Sequence, residues 1–464
     1  MIAEALMDTP TLLAHLETHT GALSLPRGGT LCWDDADFHR AAYTDDPEGY
    51  ALLGLAPGVL PWQRARVLLQ LLAASQAGLD DATRGTLARV ARVLTLALPP
   101  AAVITVLLGL RRLRANHKHT TRTALRFVLE HPEADVIIAA RRPALVDCFE
   151  HALGKATARG CARRIGDGDT GSDYLRRRLL RFLTAPHTAM PRVRALYGAG
   201  EHARHGVVLP YEPVLALDPG RERSPVVTAT NRGDIAATLV HLYRGGHAHS
   251  SHAHGSQADD PHADDLRVAL GRYVAAATAA LPRFDGTVAL VLDASASMRG
   301  YGEREWAVLS QAAALRMVLA RVCARLEVVE VGGHEHAPAG ATDLATGVLD
   351  ALTAAPDLVA VISDGYENLF PGDLARVAAT LPRAGVTTPV VFCHAQFTGA
   401  DDLTLRRPAP ALPQRGFWHQ DDFTELLPWM FGHCAAGGPW LRAAMRARLD
   451  TLDRQAAQLG GIAA

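Results

Sequence analysis

Five oxygen-bearing residues stand at three separated turns in the last third of the chain. Asp293-Ala-Ser295-Ala-Ser297-Met298 follows the apolar run Thr287–Leu292, Gly340-Ala-Thr342-Asp343 precedes a helical stretch, and Ser363-Asp364-Gly365 closes a second apolar run. Asp293, Ser295, Ser297, Thr342 and Asp364 offer two carboxylates and three hydroxyls, all hard donors. That set suits Mg²⁺ or Mn²⁺, which take near-octahedral oxygen coordination and keep waters. Two carboxylates leave a divalent ion incompletely neutralised, so it would attract a further carboxylate from outside the protein. No His or Cys lies near these residues in sequence to act as base or nucleophile, so the set is expected to bind rather than react, and no enzymatic activity is expected.

The elements that must position these turns alternate in type. TVALVL, LEVVEV, LVAVIS and TTPVVFC read as buried strands, separated by the helical stretches WAVLSQAAALRMVLARVCARL, DLATGVLDALTA and GDLARVAATLPRAG. Apolar strands alternating with helices indicate a parallel sheet covered on both faces, the doubly wound α/β arrangement, whose ligands bind at the carboxyl ends of the strands.

The turns resemble the metal-ion-dependent adhesion site (MIDAS) of von Willebrand factor A (VWA) domains, whose pattern is DxSxS, a distant Thr and a distant Asp. All five positions match in order, and the resemblance covers about residues 283–430. It implies a Rossmann-like fold, Mg²⁺ (or Mn²⁺) held by Ser295, Ser297 and Thr342 directly and by Asp293 and Asp364 partly through water, and a protein partner presenting a carboxylate. Only about nine residues, 332–340, separate the second strand from the Thr turn, so the edge strand common in that family is expected to be missing. The final strand is expected at 416–419.

Residues 1–200 read differently. Apolar residues recur at three- and four-residue spacing in PWQRARVLLQLLAASQAG, DDATRGTLARVARVLTLAL, AAVITVLLGLRRLRAN and RRPALVDCFEHALGKATARG, with Pro99, Pro100, Pro132 and Pro143 at the joints. Successive helices with short turns predict a HEAT-like helical solenoid. Residues 201–282 read as a connecting segment with short helices near 234–244 and 264–280 and a flexible His-rich loop at 245–263; 431–464 reads as a C-terminal helical tail. The expected fold class is therefore multidomain, α plus α/β.

A helical-repeat region followed by an A domain with DxSxSM resembles the Ro ribonucleoprotein (TROVE) family, whose helical ring binds structured RNA. The same motif also resembles bacterial A-domain proteins that act beside MoxR-type AAA+ ATPases; no ATPase is encoded here, because GxxxxGK[ST] is absent.

The formal charge of the 464-residue chain is -1, from 47 basic and 48 acidic residues, which excludes a uniformly basic nucleic-acid binder. The balance conceals an asymmetry: residues 101–206 hold 19 Arg and Lys against 9 Asp and Glu, a net of +10. Candidate phosphate contacts for RNA are Arg111, Arg112, Arg114, Lys118, Arg122, Lys155, Arg163, Arg164, Arg176 and Arg177. A solvated face, or one docked on the acidic remainder, is the alternative. Arg richness alone is no RNA signal, because only Lys118 and Lys155 are lysines anywhere in the chain.

Weaker patterns have plain readings. His247, His249, His252, His254 and His262 suit a His-rich linker better than a metal site. Asp167-Gly-Asp169-Thr-Gly171-Ser172-Asp173 fails the calcium-loop pattern and reads as a polar turn with Ser172 or Asp173 capping the next helix. His117 and His119, two apart, would not share a helical face. Six scattered cysteines without a CxxC pair are expected to be reduced core residues. The N-terminus lacks a secretory pattern, and the longest apolar run is broken by Pro99 and Pro100, so a cytoplasmic protein with no membrane segment is expected.

Overall fold

The computed structural model describes residues 8–21, 23–26, 29–198, 207–217, 234–250, 261–397 and 406–461. The chain divides into two compact units, Met1–Pro219 with Met445–Ala464, and Gly220–Ala444.

The first unit is helical: α1 Thr9–Thr18, α2 Ala36–Asp45, α3 Pro47–Leu53, α4 Pro61–Ala73, α5 Asp81–Ala97, α6 Pro100–Arg112, α7 Lys118–Glu130, α8 Ala134–Leu153, α9 Lys155–Gly166, α10 Asp173–Arg178 and α11 Pro186–Tyr197. Local chemistry sets the starts. Asp8, Asp46, Asp80 and Ser172 each accept a backbone N–H three residues on, and Pro47, Pro61, Pro100 and Pro186 occupy first-turn positions where no N–H is needed. Pro143 stands at a joint, as expected: Arg141, two residues before it, leaves helical geometry at φ -137° and ψ 29°, so α8 is two helices meeting at a kink. α2, α4, α6 and α8 pack in series, as do α3, α5, α7 and α11, giving two helical layers. α4 is buried on every side, so its polar Gln63 and Arg66 must find internal partners.

The second unit contains α12 Ile235–Ser250, α13 Pro261–Thr278, β1 Phe284–Asp293, α14 Ala296–Arg299, α15 Ala307–Val322, β2 Cys323–Val331, α16 Leu344–Leu352, β3 Leu358–Ser363, α17 Asp373–Thr380, β4 Val390–Ala395, β5 Gln414–Phe417 and α18 Phe423–Gly432; α19, Gly437–Gly461, begins here and ends in the first unit. The sheet order is β2-β1-β3-β4-β5, all parallel. Ala289, Val291, Val359, Val361 and Phe392 bury one face beneath Leu344 and Val348 of α16 and Leu374 of α17. α15 packs on β1, β2 and β4, and the whole of β3 and β4 is buried.

Several boundaries depart from the sequence reading. The helices expected near 234–244 and 264–280 are present as α12 and α13, longer than expected and both packed on α15. Residues 245–250 of the expected His-rich loop continue α12, and 251–260 lie outside the described residues, as do the side chains of His247, His249, His252, His254 and His262. β5 comes two residues earlier than expected, because Phe417 pairs with Ala395 while the His419 side chain caps the following turn. Among the described residues no strand pairs with the outer side of β2; residues 332–340 instead form a tight turn with a bridge between His334 and Ala337. No described helix is long and apolar enough to cross a membrane.

Candidate metal centre and cationic cavity

Asp293 ends β1 and Asp364 follows the end of β3. These strands are neighbours, with Leu292 opposite Ile362, and chain order reverses between them, which leaves a crevice at their carboxyl ends. Asp293 Oδ1 accepts the Ser295 N–H at 2.9 Å and Oδ2 accepts the Ser363 hydroxyl at 2.6 Å. The Ser295 and Ser297 hydroxyls are 3.1 Å apart, Ser297 is hydrogen-bonded to Asp364, and Asp364 Oδ1 accepts the Tyr366 N–H at 3.1 Å. The Thr turn is fastened to the Ser turn: Ala339 N–H donates to Ala294 at 3.1 Å and Ala296 N–H to Gly340 at 3.4 Å. Gly332, at φ +84°, permits this approach, since a Cβ there would meet Ser295 Cα at 2.8 Å. All five expected metal residues therefore lie on three turns at one end of the sheet.

The electrostatics of these turns call for a cation. Asp293, Ser295, Thr342 and Asp364 are all buried. Burial, reinforced by Asp364 and opposed by the Ser363 and Ser295 hydrogen bonds, pushes the Asp293 carboxyl up to about 6; burial also raises Asp364. Thr342 Oγ1 is buried with no hydrogen-bond partner among the described residues. A buried hydroxyl without a partner and two buried acids would each gain from a divalent cation placed between them. The residues fit Mg²⁺ or Mn²⁺.

No protein-family model matches this chain, and no curated protein does. Among solved structures it is similar to the crystal structure of the Ro (RSR) protein of Deinococcus radiodurans, at 13% identity and a TM-score of 0.36, over 94% of this chain and 99% of that one. A likeness this shallow decides nothing about function.

Two features of the site were not legible in sequence. His394, on β4 opposite Ser363, brings an imidazole to these turns; burial lowers its pKa, and its Nε2 is hydrogen-bonded to Gln414 at 2.8 Å. Around the turns, Tyr301, Tyr366, Leu369 and Phe370 are exposed, and the Leu369 N–H donates to the Thr342 carbonyl at 3.3 Å, which places that apolar segment beside the Thr turn.

The ten basic residues singled out by sequence are all exposed. Arg111 pairs with Asp147, and Arg164 pairs with Asp169 at 3.5 Å and covers the Tyr174 ring. Only Lys118 and Arg122 of the ten line a cavity of about 1230 Å³ in the helical unit; Arg112, Arg114, Lys155, Arg163, Arg176 and Arg177 lie outside its lining. The rest of the basic lining is Arg84, Arg92, Arg126, Arg181 and Arg192 with His117, His119, His131 and His187, against the single acid Glu130; Arg84 and Arg92 lie outside the basic stretch that charge counting found. His117 and His119 do share a face, contrary to expectation. His117 is the extended residue preceding α7, so the helical spacing rule does not apply, and the two rings stack at 5.2 Å. Crowding is evident here too: burial and then Arg192 lower His131 to about 4, while Arg126 Nε, His119 Nε2 and His131 Nε2 are buried without hydrogen-bond partners among the described residues.

Proposed function

We propose that the α/β unit is a non-enzymatic, metal-dependent binding module, with Asp293, Ser295, Ser297, Thr342 and Asp364 holding Mg²⁺ (or Mn²⁺) in a MIDAS-type site that engages an acidic residue of a protein partner. The observation that carries this reading is the buried, unpartnered Thr342 hydroxyl on a turn fastened beside two acids of raised pKa. When bound, the ion supplies positive charge and an open coordination position. The chain's own residues fix the oxygens through the Ser295 N–H, the Ser363 hydroxyl and the Tyr366 N–H. Exposed Tyr366, Leu369 and Phe370 would give the partner apolar contact around its carboxylate. An AAA+ ATPase is one partner such a site would accept. The test is capture of protein partners on the immobilised full chain in Mg²⁺, with elution by EDTA. Asp293→Ala should abolish capture, whereas capture persisting in both EDTA and the variant overturns the reading.

The cavity of the helical unit supports a second role, binding of structured RNA through its phosphates. Its cations outnumber its acids, and Arg126 Nε, His119 Nε2 and His131 Nε2 are buried without hydrogen-bond partners among the described residues. RNA should copurify when nuclease is omitted, and affinity should fall steeply with salt, with a shallower slope in Arg122→Ala by about one phosphate contact. Absence of both copurifying RNA and a shift on mixing overturns it.

A further inference from the structure

A second cluster, with different donors, sits in the helical unit. His15 lies in the last turn of α1, His19 ends that helix, Asp34 and Asp35 precede α2, and His39 is one turn into α2. Three imidazole Nε2 atoms converge on one oxygen: Asp35 Oδ2 lies 2.9 Å from His15, 3.2 Å from His39 and 3.6 Å from His19. The same oxygen also receives Gln63 Nε2 at 3.1 Å and an Arg66 guanidinium nitrogen at 2.6 Å. Its twin, Asp35 Oδ1, is buried with no partner among the described residues.

This is a poor arrangement for hydrogen bonding alone. A carboxylate oxygen offers about two lone-pair sites, so four nitrogens within 3.2 Å of Oδ2 cannot all be donors to it while Oδ1 takes none; His39 Nε2 has a second partner in Gln63 Oε1 at 2.9 Å, and His19 Nε2 has one in Asp34 Oδ2 at 3.1 Å. Asp35 also stands at the N-cap position of α2 without capping it, forgoing a bond of the kind that α1, α3 and α5 use. Its carboxylate has been turned toward the imidazoles instead.

The spacing suits a metal ion. Ligand atoms on a tetrahedral ion with bonds of about 2.0 Å lie about 3.3 Å from one another; Asp35 Oδ2 is 2.9 Å from His15 and 3.2 Å from His39, and ligand atoms of these three residues all lie within 4.8 Å of one another, whereas His19 groups with Asp34 and Asp35. His39 is also held from its other side, because its Nδ1 is 2.7 Å from the Tyr50 hydroxyl, the kind of outer contact that fixes a ligating imidazole. His39 and Arg66 are fully buried, whereas His19 and Asp34 reach solvent and leave an entry path. Arg66 also takes Asp34 at 2.8 Å, so the two acids exceed the one permanent cation by a single charge.

We propose that His15, Asp35 and His39 form a transition-metal site of Zn²⁺ type that fastens α1 to α2 in the helical unit, with His19 beside its remaining position. Imidazole-rich donors select a borderline ion over the hard Mg²⁺ suited to the five oxygens of the α/β unit. Two of the imidazoles then present lone pairs to the ion, which relieves the crowding at Oδ2. The ion's role here is structural, since its ligands join two helices, and the fourth tetrahedral position falls to His19 or a water.

The experiment is titration of the metal-free full chain with Co²⁺ and then Zn²⁺, following the visible absorption of tetrahedral Co²⁺. The starting protein carries Asp293→Asn and serine at the five histidines between 247 and 262, so that neither the oxygen set nor the His-rich segment contributes. One equivalent of Co²⁺ with a tetrahedral spectrum, displaced by Zn²⁺, is expected. His15→Asn should weaken uptake by well over tenfold, and Tyr50→Phe by about tenfold. Both variants should match the parent in metal-free circular dichroism. Stoichiometric uptake that fails in a folded parent, or that is equally tight in His15→Asn, overturns the proposal.

Discussion

Asp35 in the helical unit and Asp293 in the α/β unit are both buried acids at the end of an element, and their surroundings drive them in opposite directions. Burial raises both. At Asp35, hydrogen bonds from His39, His15 and Gln63 more than offset it, with the Arg66 ion pair beside them, and the carboxyl ends well below the usual range. Asp293 has only hydroxyl and backbone donors and a second acid nearby, and ends at about 6. A buried charge that brings its own counter-ion needs nothing further to remain ionised, whereas one surrounded by neutral oxygens waits for a cation from solution. The donor types follow the same division, with nitrogen around Asp35 and oxygen around Asp293.

The sharpest way to break this comparison is to neutralise each acid in chelator. Asp35→Asn leaves the buried Arg66 with only the half-exposed Asp34 as its anion and should destabilise the helical unit by about 3 kcal/mol. Asp293→Asn should do the reverse. A carboxyl raised from 3.8 to about 6 contributes stability that is complete below pH 3.8 and is lost as pH rises through 6. Above pH 6 the metal-free wild type should therefore be less stable than the variant by about 3 kcal/mol, at about 1.4 kcal/mol per pK unit. Near pH 4 the difference should vanish. Urea unfolding monitored separately in each unit checks both signs, and a destabilised Asp293→Asn at pH 7 would remove the contrast.

A smaller effect concerns affinity. Protons compete with the metal for Asp293 and Asp364, so Mn²⁺ affinity at the oxygen set should fall by about tenfold per pH unit below 6. Equilibrium dialysis across pH 5–8 would show it, and a flat profile would place the ion elsewhere. The smallest effect is at the rim: Phe370→Ala should weaken Mg²⁺-dependent partner capture severalfold with Mn²⁺ affinity unchanged. Loss of both together would make Phe370 a support of the site rather than part of a docking surface.

The two sites also differ in how far they could be read from sequence. The oxygen set was legible because each member falls at the end of a continuous apolar strand or the start of a helix, where parallel-sheet topology brings separated turns together. The LVAVIS run corresponds to β3, Leu358–Ser363, without adjustment. The nitrogen cluster had one local sign, the four-residue spacing of His15 and His19, and its other members gain meaning only when α1, α2 and α4 pack together. His394 was hidden for a related reason, since it reaches Ser363 through strand register rather than sequence. The cationic cavity was half visible: charge counting found the basic stretch, but Arg84 and Arg92 come from α5, outside it. Residues 245–250 were misread as loop because Gly and His weaken a helical signal that the packing of α12 on α15 sustains.

Thr342→Val is the most direct test, because it removes one buried hydroxyl, keeps the shape and leaves both acids in place. In metal-free protein the substitution should cost nothing or stabilise by about 1 kcal/mol, since the hydroxyl has no partner to lose. Mn²⁺ titration followed by electron paramagnetic resonance should show one bound equivalent in wild type and at least about tenfold weaker binding in Thr342→Val. Equal binding in the two proteins would contradict the assignment of Thr342, and with it the metal-dependent function proposed for this unit.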